Sequence, residues 1–192
     1  MLRGLADPVG DGQMIFRAVL QAISRPGCIV AVPGPLEVPP PLHPAAAAFC
    51  LALVDFEASL WLDRAARTTA VIEYLRLHSG ALIVDAPGTA SFALIADVSA
   101  MPALDAFPLG TDEEPERSAT LILQVASLHA GDGRRLTGPG VAGETRLRAD
   151  GLPPAVWSEI RDNHAAFPRG VDLVLVAGAR LAALPRTTRV DL

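Results

Sequence analysis

The chain contains no lysine: all sixteen basic residues among its 192 are arginine. That absence excludes Schiff-base chemistry on a side-chain amine and excludes a phosphate-loop lysine. Cysteine is scarce too. Cys28 and Cys50 sit among apolar neighbours and form no C-x-x-C pair. They read as free thiols packed as small hydrophobes in a reducing compartment. Long apolar runs are missing. The longest, Ala45 to Val54, is about half the ~20 residues a membrane-spanning helix needs. Met1-Leu2-Arg3-Gly4 shows no basic segment leading into an apolar one, so no signal peptide is expected and the cytoplasm is the expected location. A basic surface is missing as well. The net charge is −5, which argues against general nucleic-acid binding.

Several catalytic signatures are also absent. No G-x-S-x-G elbow is present for a hydrolase. His43, His78, His129 and His164 are scattered, and no pair has metal-ligand spacing, so no metal is expected. Asp55 with Glu57 puts two carboxylates near each other, as does the run Asp112-Glu113-Glu114; the first could form an acid/base pair, but cap or surface charge is the ordinary reading.

What is present describes a single α/β domain over residues 1–192, with a three-layer arrangement around a mixed sheet. Hydrophobic residues make up 51% and charged residues 19%, which suits a sizeable core and a surface partly covered by partners. Asp11 to Ser24 reads as an amphipathic helix, with Ile15, Phe16, Val19, Leu20 and Ile23 at helical spacing and Arg25-Pro26-Gly27 as its stop. Cys28 to Val32 reads as a strand, and Pro33 to Pro41 as an extended loop. Pro44 to about Asp55 and Arg64 to His78 read as helices, with Gly80 as a left-handed cap on the second. Strands are expected at 59–62, 81–85, 119–128 and 171–176, with an ambiguous stretch at 90–95. Residues 102–116 read as loop, 153–165 as a helix, and 189–192 as a last short strand. Arg134 to Arg148 reads as two short strands around a glycine-rich turn.

That turn, Gly138-Pro139-Gly140-Val141-Ala142-Gly143, is a literal G-x-G-x-x-G. A dinucleotide fingerprint needs a long helix directly after it. Here the following residues are short, charged and ended by Gly151 and Pro153, so a tight turn is the reading. Nine arginines lie in or beside loops: Arg25, Arg117, Arg134, Arg135, Arg146, Arg148, Arg169, Arg186 and Arg189. Guanidinium groups grip phosphate or phosphonate oxygens in pairs, although solvated loop charge is the default explanation. Arg25, Arg169 and Arg186 stand apart because each adjoins Pro or Gly, and rigid neighbours lower the entropy cost of presenting a side chain. The ligand-binding candidates are therefore Arg25, Gly138, Pro139, Gly140, Arg169 and Arg186; no catalytic residue is assigned.

The order of segments along the chain carries a resemblance. Phe16 to Leu20 runs into Ser24-Arg25-Pro26-Gly27. Leu51 to Asp55 is followed by Ser59-Leu60-Trp61-Leu62 and His78-Ser79-Gly80-Ala81. Then come Phe92-Ala93-Leu94, Gly110-Thr111, Pro115 to Thr120 and Leu136 to Gly140. Asn163, Phe167-Pro168-Arg169-Gly170-Val171-Asp172 and Leu184 to Thr188 complete the set. This ordered set resembles the PhnH family, a subunit of the bacterial carbon–phosphorus lyase machinery. Ser91 stands where an acidic residue is expected in relatives, which weakens any role for that position.

The resemblance implies a fold similar to pyridoxal-phosphate-dependent transferases but without that cofactor, so no cofactor is expected. It implies a homodimer when isolated and assembly with the other core lyase subunits in the cell. The complex attaches an alkylphosphonate to the ribose of ATP and displaces adenine, and a later radical step on another subunit cuts the carbon–phosphorus bond. The glycosyl transfer lies mainly on another subunit, so an accessory role without activity alone is implied here. The alternative is a degenerate transferase domain that binds a phosphonate or nucleotide and contributes groups to the displacement. A third, weaker reading is a module that binds pyridoxal phosphate without Schiff-base chemistry.

Overall fold

A computed structural model describes residues 2–34 and 36–191. Four helices, α1 (Pro8–Ser24), α2 (Pro44–Leu53), α3 (Thr69–Ser79) and α4 (Pro154–Ala165), alternate with ten strands. These are β1 (Val30–Ala31), β2 (Ser59–Leu62), β3 (Leu82–Val84), β4 (Phe92–Ile95), β5 (Thr120–Gln124), β6 (Ser127–Thr137), β7 (Thr145–Asp150), β8 (Asp172–Ala177), β9 (Arg180–Leu184) and β10 (Arg189–Asp191). Seven strands form one mixed sheet in the order β1-β9-β8-β5-β4-β2-β3, and β10-β6-β7 form a second, antiparallel sheet. The mixed α/β class expected from the sequence is the one observed.

The layers follow from the two-residue period of a strand, which sends alternate side chains to opposite faces. Leu94, Ile122, Val174 and Val176 join a core with α1, α2 and α3. Their neighbours Ala93, Ile95, Leu121, Leu123, Leu173 and Leu175 join a second core, beneath the small sheet and α4. The two strands expected around the glycine-rich turn at 134–148 therefore belong to an outer layer. Strands β4, β5 and β8 are apolar on both faces, as parallel strands buried on both sides must be.

Local signals fix most boundaries. α1 begins at Pro8, three residues before Asp11, because Asp7 is its cap: Asp7 Oδ1 accepts Val9 N–H at 3.1 Å. Asp11 instead turns back, its Oδ2 accepting Asp7 N–H at 2.9 Å. α3 starts later than Arg64 because Thr68 supplies its cap, and it ends at Gly80 with φ 74° as expected. The ambiguous stretch is strand β4, set between β2 and β5. The long strand expected at 119–128 is broken at Val125–Ala126, where the chain leaves the large sheet for the small one. β10 covers 189–191; Leu192 lies outside the described residues, as does Pro35 of the proline-rich loop.

Candidate functional site

The first cluster forms where α1 ends. Gly138 and Gly140 adopt φ of 126° and 82°, a region that favours glycine. The space around them allows no side chain either. A Cβ on Gly138 would sit 2.7 Å from the Thr187 carbonyl oxygen, and one on Gly140 would collide with the Ser24 carbonyl oxygen and lie 2.9 Å from Pro26 Cδ. The Gly138-Pro139-Gly140 turn is thus wedged between the exit of α1 and the segment that carries Arg186. No helix follows it: residues 145–150 are strand β7, which fits the tight-turn reading. Arg25 stands exposed beside the turn, its backbone N–H bonded to the carbonyls of Gln21 and Ala22. Its side chain lines a shallow groove with Arg17, Leu20, Gln21 and Ser24.

Arg186 reaches the same neighbourhood through its backbone but turns its side chain inward. Its guanidinium forks onto Asp172, with Nε 3.2 Å from Oδ1 and Nη2 2.7 Å from Oδ2. Nη1 donates to the Pro115 carbonyl at 2.6 Å and faces the Pro168 carbonyl at 3.4 Å, and Nη2 also donates to Ser118 Oγ. With only 13% of the side chain exposed, this arginine is saturated by its own chain. It ties the segment after β9 to two loops and to the start of β8. Arg169 points the other way, exposed, 3.5 Å from Asp112 Oδ1. The structure therefore brings Arg25 and the 138–140 turn together and leaves the Arg169 and Arg186 side chains apart from them.

Two features escaped the sequence. Ser127, His129 and Asp150 converge on the β6–β7 pair: His129 Nε2 lies 2.8 Å from Ser127 Oγ and 3.0 Å from Asp150 Oδ2, and Ser127 Oγ donates to Asp150 Oδ2. The Ser127 hydroxyl holds the Asp150 carboxyl below its ordinary range, with help from the Arg148 charge. This is no nucleophilic relay, because serine and imidazole compete for one carboxylate oxygen. Only the antiparallel register, Ser127 opposite Asp150 and His129 opposite Arg148, brings the three together. The second feature is a groove of about 940 Å³ between the N-terminal segment, α1, the proline-rich loop and α2. Its floor is apolar (Ile15, Ala45, Ala48, Leu51), and Arg3, Asp11, Glu37 and His78 stand among its lining. Among the described residues, no group of three or more His, Cys, Asp or Glu is placed to hold a metal ion. Among the described residues, no helix is long and apolar enough to cross a membrane.

Comparison with known proteins covers nearly the whole chain. Residues 3–191 match the family model described as "Bacterial phosphonate metabolism protein (PhnH)". The chain is 36% identical over 186 residues to the "Alpha-D-ribose 1-methylphosphonate 5-triphosphate synthase subunit PhnH" of Rhizobium meliloti (strain 1021), covering 97% of this chain and 93% of that one. It is 33% identical over 181 residues to the "Putative C-P lyase subunit protein HtxG" of Stutzerimonas stutzeri, covering 94% of this chain and 86% of that one. A match of that extent leaves no other assignment, and the chain belongs to the PhnH family of bacterial phosphonate metabolism proteins.

Proposed function

We propose that this chain is a subunit of the carbon–phosphorus lyase complex, required for transfer of an alkylphosphonate to the ribose of ATP with displacement of adenine, and that its role there is accessory. The observation that carries this reading is the near full-length match to a relative named as a subunit of a ribose methylphosphonate triphosphate synthase. The internal use of Arg186 supports an accessory role, since the most buried of the arginine candidates is committed to holding loops together. Co-expression with the other core subunits from the same source, followed by light scattering on the eluted material, tests it. A stable assembly larger than a dimer of this chain supports the reading, and a bare monomer or homodimer sinks it.

The rest of the reading is ours as well. The chain forms one domain over 1–192, is a homodimer when isolated and works in the cytoplasm. Its fold is akin to that of the pyridoxal-phosphate-dependent transferases. In support, a seven-stranded mixed sheet carries five neighbouring parallel strands, and its antiparallel β9 joins on beside β8. The chain has no lysine with which to hold that cofactor as an aldimine, and none is assigned. The second reading, a degenerate transferase that binds phosphonate or nucleotide, draws on exposed Arg25 beside the Gly138-Pro139-Gly140 turn, with Arg169 as an outlying cation. Titration calorimetry of the isolated chain with ATP and methylphosphonate separates the two. Micromolar binding that Arg25→Ala abolishes favours the second, and absent or millimolar binding favours the first.

A further inference from the structure

Helix α1 carries more apolar surface than its own chain covers. Ile15, Ala18, Val19 and Ala22 are buried against the body of the protein. On another face Val9, Gln13, Phe16, Leu20 and Ile23 follow at intervals of four, three, four and three residues, all exposed. Val9 is 71% exposed, Phe16 50%, Leu20 52% and Ile23 38%. A 3.5-residue average repeat is the seam of a coiled coil, and this one runs about 21 Å along the helix at ~1.5 Å per residue. Gly12, beside the seam, has open space over its Cα: an added Cβ would meet nothing within 4 Å. A neighbouring backbone can come close there.

The charge along the seam says what does not fit it. One flank is made by Gly10, Arg17 and Ser24, seven residues apart, and holds no acid. The helix's own acids are used at its start, where Asp7 caps Val9 and Asp11 caps Asp7. A second copy packed antiparallel, Phe16 against Phe16, would set the two Arg17 side chains beside each other at the dyad. Like charges across such a pair are unfavourable, a feature that discriminates between partners. Arg17 and Arg25 make no ion pair among the described residues. Both line the groove that runs along this end of the helix.

The geometry points to the exposed face of α1 as a docking surface for an amphipathic helix of a different protein chain, one with an apolar seam flanked by Asp or Glu. The inference rests on the subunit reading above and adds where the partner docks and of what kind. A homodimer then uses another surface.

The test is co-purification of the tagged chain with the other subunits of the complex from the same source, in four forms: wild type, Phe16→Glu/Leu20→Glu, Arg17→Glu, and Leu82→Glu on the distant sheet edge. Wild type and Leu82→Glu are expected to assemble. The double variant is expected to bind at least tenfold more weakly while still unfolding in one cooperative transition, with a melting temperature lowered by no more than several degrees because about half of each side chain already meets solvent, and Arg17→Glu several-fold more weakly through a flanking charge. Should the double variant not fold, Arg17→Glu carries the test alone. Assembly of every variant at wild-type strength overturns the inference and leaves the subunit reading intact. Loss in Leu82→Glu alone moves the interface to β3 and overturns it too. Failure of the wild type to assemble removes the subunit reading, and the inference with it.

Discussion

Helices α1 and α2 lie in the same layer and touch each other, yet they treat apolar residues oppositely. α2 is apolar all round, and Ala45, Ala46, Ala47, Ala48, Phe49 and Cys50 are all buried. α1 is apolar on two faces and covers one. A helix that is hydrophobic on every side is normally interior, and α2 obeys that rule because α1, α3 and the sheet enclose it. α1 is at the outside of that layer. Its second apolar face has no use inside this chain, so the difference separates residues that hold the fold from residues left for something else.

Substitutions can sharpen or break this contrast. Phe49 packs edge-to-face on Phe92, with ring centroids 5.9 Å apart, and Phe49→Ala should cost about 3–5 kcal/mol in chemical denaturation. A cost near that of a surface change would mean that α2 is not the interior helix described. Removing the inward arginine is expected to cost about 3 kcal/mol in Arg186→Ala, since Asp172 would be left half-buried without its partner. An unchanged melting curve would show the guanidinium to be dispensable and open to a ligand after all. Thiol chemistry tests the enclosure of α2 without mutation. Burial pushes the Cys50 thiol up to about 12, so it stays protonated and enclosed. At pH 8 a disulfide reagent should modify half-buried Cys28 first and reach Cys50 only on unfolding. Equal rates would contradict the enclosure of α2. Since the folded Cys50 value is the raised one, its contribution to stability is complete below about 8.5 and fades as the pH climbs towards 12. Phe16→Ala should change stability least, by about 0.5 kcal/mol or less, because half of that ring already meets water.

Away from the helices, the depressed Asp150 carboxyl runs the other way with pH. Its contribution is present above the ordinary carboxylate range and is lost as the pH falls through the lowered folded value. Ser127→Ala removes the main cause of the depression, so its stability deficit should shrink on acidification. A deficit independent of pH would assign the Ser127 role to packing.

Local chemistry made much of this fold readable. Strand β2 was expected at 59–62 and is found there, and Gly80 ends α3 in the left-handed conformation that its position suggested. β9 went unread because Arg180-Leu181-Ala182-Ala183-Leu184 has no β-branched residue and owes its strand state to pairing with β8 and β1. The site was harder to see. Pro and Gly beside an arginine imply a fixed backbone, and they did mark the tight approach of the 138–140 turn. They say nothing about which way a guanidinium turns, and Arg186 turned inward because Asp172, fourteen residues earlier, faces it. The helical spacing of α1 merged Ile15 and Val19 with Phe16, Leu20 and Ile23 into one set. Only the packing shows that the first two are interior and the other three are not.

The register of β1 also bears on how the chain is made. Val30 pairs with Leu181 and Ala31 with Arg180, and α1 packs on the same strand β9. Contacts between such distant residues form late, because a long loop must close before they repay its entropy. During synthesis, residues 8–31 therefore wait, emerged from the ribosome but without their sheet partner, until residues 180–184 have followed. Throughout that interval α1 has α2 but not β9 against its inner face, and its outer apolar face is bare, which makes this early segment one in need of a chaperone or of slow, dilute expression.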